Sequence, residues 1–364
     1  MNQKNHLKLQ LLFCLLFAFA FATVNVSSAQ DSASTSGMTL TWKECIDSYM
    51  ALDDAHKRAR LVEIGSTDSG KPLHAFIINP DTIFYPELFD PAKPVLFVNN
   101  AIHPGEPDGV DASLRFCKDY LEGRIEGLNV NSADLIICVI PMYNVDGALN
   151  RGSFSRANQD GPIEYGFRGN ARNLDLNRDF IKCDSENARS FARWFTRVRP
   201  HVLVDTHVSN GADYQHTMTL ITTQPDKLGG KLGEYVRSSL TPALFDAMEK
   251  RGHRMSPYVN TMGRLPESGL VDFLETPRFC TGYGALFNTI GYTTETHMLK
   301  PFDERTESTY QFLVVLASQM LARSNELLRM REIADKDLLK QSEFALAWEL
   351  DTTKRNSFVF DGFT

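Results

Sequence analysis

Short apolar runs alternate with amphipathic segments along most of the chain. Four runs have the length and the β-branched or aromatic content of buried strands, namely residues 73–79, 94–100, 133–144 and 201–207. Strands that alternate with helical segments are typical of a sheet covered by helices on both faces. The pattern therefore predicts an α/β fold.

Helical spacing of apolar residues marks the segments between these runs. A first helix is predicted over residues 42–59, and another begins after a plausible cap at Asp184. The predicted buried faces are Val110, Leu114, Cys117 and Leu121, then Phe191, Trp194, Phe195 and Val198, and finally Leu313, Leu316, Met320 and Leu327 in a long C-terminal helix.

The first 29 residues have the order of features found in a signal peptide. Lys4 and Lys8 give a positive start, residues 11–22 form an apolar run, and residues 27–29 offer small side chains for cleavage. The apolar run is too short to span a bilayer, and no later stretch is apolar enough to do so. We therefore expect a secreted or periplasmic protein without a membrane anchor after cleavage.

The mature chain is predicted to hold a catalytic domain over residues 30–342, followed by a tail over residues 343–364. The tail sequence resembles a strand. It would be either the last strand of the main domain or the opening of a further β segment.

Charge and cysteine content narrow the class of protein. The chain has 364 residues and a formal net charge of -7, without basic tracts, which argues against nucleic acid as a partner. Signal cleavage would leave five cysteines with no Cys-x-x-Cys spacing, so at most two pairs are possible. Most of these cysteines are expected to be small buried apolar residues.

A candidate metal motif follows the predicted strand at residues 94–100. His103 and Glu106 are three residues apart at the carboxyl end of this strand, where open α/β sheets place their ligands. Imidazole nitrogen and carboxylate oxygen are both good zinc donors. A lone His-x-x-Glu also occurs in ordinary surface turns, so the motif needs further support.

A catalytic zinc needs a third protein ligand and an open position. His207, at the end of the run 201–207, is the candidate, although a buried histidine at a strand end often has no metal. His201 begins the same run, roughly 20 Å away along an extended strand, and cannot share an ion with His207. The remaining competitors are His74, His216, His253 and His297.

The combined segments resemble the zinc carboxypeptidases of the M14 class, the carboxypeptidase A-like proteins. The segments are the His-Pro-Gly-Glu at 103–106, Pro141–Gly147, Asp175-Leu176-Asn177-Arg178, the stretch ending in His207, and the stretch around Glu295. The resemblance covers about residues 40–330. It implies a mixed sheet of about eight strands with helices on both faces, and one Zn²⁺ held by His103, Glu106 and His207.

The resemblance also assigns roles around the metal. It places the general base at Glu295, with Glu275 as a rival, and a clamp for the substrate's terminal carboxylate at Asn177 and Arg178. The arginine that polarises the scissile carbonyl would be Arg168. Arg172 and Arg156 are alternatives for that role, and Asp175 would orient His103 by accepting its other N–H.

Two departures from the family pattern affect these roles. Asp179 stands where the family often has asparagine, and a carboxylate there would weaken the clamp if it faced Arg178. The family's mobile tyrosine has no clean counterpart, since Phe279 lies near its place and Tyr283 a little later. Because phenylalanine cannot donate a hydrogen bond, Tyr283 is the candidate substrate-binding tyrosine.

The sequence thus predicts a secreted zinc-dependent metallocarboxypeptidase that acts on peptides with a free C-terminal carboxylate by means of a zinc-bound water. The alternatives are a cell-wall peptide hydrolase or an N-acyl amino acid deacylase on the same scaffold, and a zinc-binding pseudo-enzyme. Residues 279–294 contain no charged side chain. In the family that the chain resembles, residues just before the base form part of the side-chain pocket. The resemblance therefore implies a pocket for neutral or apolar terminal residues, because an unpaired buried cation is costly.

Overall fold

A mixed sheet of eight strands forms the centre of the computed structural model, which describes residues 37–264 and 266–362. The strands are β1 (Ala59–Ser66), β2 (Pro72–Ile78), β3 (Val95–Asn99), β4 (Ile136–Ile140), β5 (Val202–Ser209), β6 (Met218–Thr222), β7 (Ser256–Pro257) and β8 (Ile290–His297). Their order across the sheet is β1-β2-β4-β3-β5-β8-β6-β7.

The four central strands, β4, β3, β5 and β8, run parallel to one another. β2 pairs with β4 and β6 with β8 in the antiparallel sense, so the sheet is mixed. The predicted α/β fold and the eight-stranded mixed sheet are confirmed.

Helices cover both faces of this sheet. They are α1 (Trp42–Ala55), α2 (Asp108–Glu122), α3 (Val145–Leu149), α4 (Glu186–Val198), α5 (Pro225–Leu228), α6 (Gly230–Tyr235), α7 (Thr241–Lys250), α8 (Cys280–Ala285), α9 (Phe302–Ala322) and α10 (Ser324–Leu338). Short 3₁₀ turns lie at Pro86–Leu88, Leu176–Arg178 and Pro266–Ser268, and a π turn at Val236–Leu240.

Alternate side chains of the central strands enter two separate apolar cores. Val98 of β3 packs in the core that contains Phe116 of α2 and Leu316 of α9. Its neighbour Phe97 packs edge-on against Phe191 and Phe195 of α4 on the opposite face. Burial on both faces explains why these strands are apolar without alternation.

Several predicted boundaries are wrong. The first helix ends at Ala55 rather than residue 59, because the chain turns there into β1, a strand that the sequence pattern did not indicate. The cap of α4 is Ser185, whose side chain accepts a hydrogen bond from the Ala188 N–H, and not Asp184. The long C-terminal helix is interrupted at Arg323 and continues as α10.

The tail does not form the predicted strand. Residues 343–362 contain neither helix nor strand, and their far end contacts the body of the protein through an ion pair of 2.7 Å between Asp361 and Arg254. The predicted signal peptide, residues 1–29, lies outside the described residues, and the domain limits 30–342 stay a prediction. In the described part of the chain, no helix is both long and apolar enough to cross a membrane.

The five cysteines of the described residues are all free thiols. Four of them, Cys45, Cys117, Cys138 and Cys280, are buried, and Cys183 is partly buried. They pack as small apolar residues and do not form a disulfide framework.

A fully buried ion pair links the segment after β3 to the helix that follows β8. Arg305 of α9 is 0% exposed and its Nε donates to Asp108 Oδ2 at 2.9 Å. Its other N–H groups donate to the carbonyls of Asp160 and Gly161 at 2.8 and 2.9 Å. Asp108 lies two residues after Glu106 and also accepts a hydrogen bond from Thr296, so this pair fixes the position of both segments.

We expect Arg305→Met to lower the free energy of unfolding by about 3–5 kcal/mol, because it leaves the Asp108 carboxylate buried without its counter-charge. Urea denaturation followed by circular dichroism measures the change. Arg237→Met is the control, since its ion pair with Asp226 is exposed and worth about 0–1 kcal/mol. A loss below about 1 kcal/mol for Arg305→Met would contradict the structural role of the pair.

Candidate metal centre and active site

Three buried side chains converge at the carboxyl edge of the parallel strands. His103 and Glu106 follow β3, and His207 lies near the end of β5, the parallel neighbour of β3. Their donor atoms lie within 4.8 Å of one another. His103 Nδ1 is 3.2 Å from Glu106 Oε1, and His207 Nδ1 is 2.9 Å from Glu106 Oε2. The structure therefore brings together all three residues that the sequence proposed as ligands.

Hydrogen bonds on the outer side of each imidazole fix its orientation. His103 Nε2 is 3.0 Å from Asp175 Oδ1, and His207 Nε2 is 2.9 Å from Asp205 Oδ2. Because a carboxylate accepts the Nε2–H, the Nδ1 atoms of both rings point toward Glu106. Asp175 thus occupies the position predicted for it.

The chemistry of this donor set fits a divalent cation. Although burial opposes it, the carboxylates of Asp205 and Glu106 raise the pKa of His207 well above its usual range. Two imidazole nitrogens and a carboxylate converge here, since the Nδ1 atoms of His103 and His207 lie 3.2 and 2.9 Å from the oxygens of Glu106. Zinc takes two imidazoles and one carboxylate at catalytic sites and would satisfy the same groups.

Two arginines lie against the ligands. Arg156 donates to Glu106 Oε1 at 2.6 Å and to the carbonyl of Val208 at 2.7 Å. Arg168 donates to Asp175 Oδ2 at 2.8 Å and lies 3.2 Å from His103 Nδ1. Both line the cavity in front of the ligands, so Arg168 and the alternative Arg156 are both within the site.

Arg172, the other alternative, points away from the cavity. Its Nη1 donates to the carbonyl of Asp184 at 2.9 Å and lies 3.8 Å from Asp68. It is therefore placed to stabilise the loop and not to contact a substrate.

Arg178 presents a cation to the cavity and forms no salt bridge with any residue that the structure describes. Its guanidinium lies 4.4 Å from the centre of the Phe279 ring, and its Nη1 donates to the Asn177 carbonyl at 2.7 Å. No salt bridge involves Arg178 in the described ranges. Burial lowers the pKa of Arg178, but a guanidinium remains protonated in proteins. The site therefore holds a partly buried cation that a ligand carboxylate would neutralise.

Asn177 and Asp179 flank this arginine in different ways. Asn177 lines the cavity, and its Oδ1 accepts from the Cys280 N–H at 3.4 Å. The buried Asp179 carboxylate turns away, accepting from the backbone N–H groups of Asp184 and Ser185 at 2.9 Å each. The departure from the family pattern at Asp179 therefore does not weaken the clamp, because this carboxylate caps the start of α4.

Glu295 stands beside the ligands on β8. It pairs in register with His207 on β5, and its side chain lines the cavity. Burial raises the pKa of Glu295 to about 7, with His207 opposing this change and Glu106 adding to it. A carboxylate of this kind is suited to taking up and releasing a proton near neutral pH.

The rival Glu275 does not reach the cavity. It is 0% exposed, its Oε1 accepts from the Gln224 N–H at 3.0 Å, and Lys227 Nζ lies 3.5 Å away. Its carboxylate is part of a buried pair that joins the loop before α8 to helix α5.

Tyr283 is the one predicted site residue that the structure places elsewhere. Its ring packs among Phe180, Phe195 and Phe287, at centroid distances of 5.9, 5.7 and 5.1 Å. It does not line the cavity, because α8 turns its side chain into the apolar core. The phenol that does line the cavity belongs to Tyr258, which follows β7. Sequence reasoning missed it because the strand is only two residues long.

The cavity has a volume of about 310 Å³ and contains a carboxylate that was not expected. Asp205, which is 1% exposed as a residue, lines it together with Ile221, Cys280 and Thr293. Asp205 lies outside residues 279–294, on which the predicted preference for neutral or apolar terminal residues rests, and that preference stays a prediction. The spacing in the run 201–207 contained the missing signal, because residues 205 and 207 of one strand share a face.

Comparisons with known proteins agree with this geometry. The zinc carboxypeptidase family model matches residues 47–202, which confirms the family resemblance. No curated protein sequence matches the chain.

Solved structures with the same fold are distant in sequence. A metallo-carboxypeptidase from Burkholderia cenocepacia is 13% identical, with a TM-score of 0.56 over 76% of this chain and 68% of its own. A carboxypeptidase A from Helicoverpa armigera is 13% identical, with a TM-score of 0.57 over 79% and 74%. A metallo-carboxypeptidase from Pseudomonas aeruginosa, in complex with (2-guanidinoethylmercapto)succinic acid, is 13% identical with a TM-score of 0.55 over 78% and 68%. At this identity the likeness shows the fold alone.

We expect the chain to bind one zinc ion and His207→Ala to abolish stoichiometric binding, because two ligands cannot retain the ion as three do. Metal analysis after dialysis measures the occupancy. His201→Ala is the control, since its imidazole accepts from the Val95 N–H at the opposite end of the same strand. Full zinc occupancy in His207→Ala would show that the ligand set is different.

Proposed function

We propose that this chain, whose residues 47–202 belong to the zinc carboxypeptidase family, is a hydrolase that removes the C-terminal residue from peptide substrates. The substrate would carry a free terminal carboxylate. The observation that carries this proposal is Arg178, a cation of the cavity that forms no salt bridge within the described part of the chain and lies beside Asn177 and the metal ligands.

Such a cation has a clear chemical use. A guanidinium binds a carboxylate with charge-assisted, geometrically matched hydrogen bonds, and removing both charges from water is favourable only when they are paired. Arg156 and Arg168 already form salt bridges with Glu106 and Asp175, whereas Arg178 forms none with the residues described. A substrate carboxylate would be the partner of Arg178.

The role proposed for each side chain follows from its position. His103, Glu106 and His207 would hold zinc, which when bound polarises a carbonyl and lowers the pKa of water. Glu295 would take the proton of the attacking water and deliver it to the leaving amine. Arg168 would stabilise the negative charge that develops on the scissile carbonyl oxygen, and Asn177 with Arg178 would orient the terminal carboxylate.

The net charge of the cavity favours substrates whose C-terminal residue has a neutral side chain. Zinc and the three cavity arginines exceed the carboxylates of Glu106, Asp175, Asp205 and Glu295 by one positive charge, which a single substrate carboxylate would neutralise. Asp205 accepts from His207 on one oxygen and from Asn99 on the other, so its charge is already shared with a ligand of the metal position. An additional buried charge on the substrate would lack a partner.

We place this activity outside the cytoplasm, in the periplasm or after secretion. The support is the leader-like order of charge, apolar run and small residues at the start of the chain. The mature protein would begin near Gln30 or Asp31.

Glu295→Gln should keep zinc bound while turnover falls by roughly a hundredfold or more, because the amide keeps the shape but cannot accept the proton. Steady-state hydrolysis of a C-terminal peptide bond, with metal analysis of the same sample, measures both properties. Glu275→Gln is the matched control, since that carboxylate lies outside the cavity. A fully active Glu295→Gln enzyme would assign the base elsewhere.

Amidation of the substrate's C-terminus should slow cleavage roughly ten- to a hundredfold, because a charge-assisted pair with Arg178 is worth about 1.5–3 kcal/mol. Arg178→Met should slow cleavage of the free acid and remove the discrimination. Arg172→Met, in the same segment but directed away from the cavity, should retain it.

The measurement is kcat/KM on peptides that differ only in the last residue, each with a free and an amidated end. Mass spectrometry of the products identifies the bond that is cut. Equal rates on free and amidated ends would contradict the exopeptidase proposal. A strong preference for terminal Lys or Arg would contradict only the argument from charge balance.

A further inference from the structure

The second histidine ligand has an acidic partner of its own, Asp205. Asp205 Oδ2 lies 2.9 Å from His207 Nε2, and Asp205 Oδ1 accepts from Asn99 Nδ2 at 2.9 Å. Asp205 is 1% exposed, His207 is 5% exposed and Asn99 is 0% exposed. Water therefore does not compete for these hydrogen bonds.

The sheet itself sets this arrangement. Asn99 is the register partner of Asp205 on the adjacent parallel strand, so the two side chains lie side by side. His207 follows two residues later on the same strand and therefore points to the same face. Backbone pairing, and not a flexible loop, determines the distance between the carboxylate and the imidazole.

We propose that Asp205, held by Asn99, is a positioning residue that fixes the orientation and the tautomer of His207 for metal binding. With its Nε2–H donated to Asp205, neutral His207 presents the lone pair of Nδ1 toward Glu106 and His103, where the metal would be held. The negative charge of Asp205 also makes the imidazole a stronger donor. The proposal deepens the proposed function, because it concerns the same site.

Asp205 is suited to this role in a way that other polar groups near His207 are not. Asn177 Nδ2 lies 3.4 Å from His207 Nε2, but an amide N–H cannot accept the imidazole proton. Among the described residues that contact His207 Nε2, Asp205 alone offers an acceptor. Without Asp205, Glu106 Oε2, which lies 2.9 Å from Nδ1, would favour the tautomer with the proton on Nδ1, the atom that the metal needs unprotonated.

The two histidines are therefore held in the same way from different parts of the chain. His103 uses Asp175, at the start of the turn Leu176–Arg178, and His207 uses Asp205 of its own strand. Because Asp205 is built into the central sheet, its support should be more rigid than that of the partly exposed Asp175, whose side chain is 27% accessible. We expect the loss of Asp205 to weaken metal binding at least as much as the loss of Asp175.

Zinc affinity of the purified chain tests the proposal without a substrate. Competition with a coloured chelator should show Asp205→Asn binding zinc roughly ten- to a hundredfold more weakly than wild type, the usual scale for losing a partner of a ligating histidine. The absorption bands of the Co²⁺-loaded protein should also change, because the geometry of the donor set changes. Asp226→Asn, which removes a carboxylate from the surface, should leave both readouts unchanged.

An Asp205→Asn chain that binds zinc as tightly as wild type, with the same Co²⁺ spectrum, would overturn the proposal. If this variant does not fold, Asn99→Ala decides the question, because the Oδ1 of Asn99 has no hydrogen-bond partner in the described structure and the substitution loses only the bond to Asp205. It should weaken zinc binding several-fold, and unchanged affinity would again overturn the proposal. A wild-type chain that binds zinc but hydrolyses no peptide would contradict the proposed function while leaving the role of Asp205 intact.

Discussion

Parallel pairing of β3, β5 and β8 is the constraint on which the site depends. Neighbouring strands lie about 4.8 Å apart, and their carboxyl ends reach the same edge of the sheet. The register places Asn99 opposite Asp205 and His207 opposite Glu295. Asn99 on β3, the metal ligand His207 with its acidic partner on β5, and the candidate base on β8 thus occupy adjacent positions across three strands. A shift of one residue in either pairing would turn these side chains to the other face.

Acidic and basic side chains converge at this edge. If one of them were missing, its partner would be a buried charge that is poorly solvated or repelled by like charges nearby. Glu106 is balanced by Arg156, and Asp175 by Arg168. Behind them, Arg305 balances Asp108 in a fully buried pair. Each acid near the metal position therefore has a cation or an imidazole beside it, and the position of each ligand depends on a neighbour that is itself fixed.

Sequence reasoning was most successful where a residue's role depends on its place along a strand. His103 and Glu106 follow an apolar run and His207 ends another, and the α/β pattern is sufficient to place such ends together. It failed for Tyr283, because the direction in which the short helix α8 turns its face depends on tertiary packing against Phe180 and its neighbours. The half-buried strand β1 and the short strand β7 were missed because neither has a distinct hydrophobic pattern.

The position of Arg178 in the cavity also affects the stability of the folded protein. Arg178 loses part of its hydration on folding, and among the described residues it contacts a ring face and its neighbour's carbonyl without forming a salt bridge. Selection for stability alone would favour an uncharged side chain at this position. In the proposed function, a substrate carboxylate that pairs with Arg178 would offset this loss of hydration, so that ligand binding would also stabilise the folded protein.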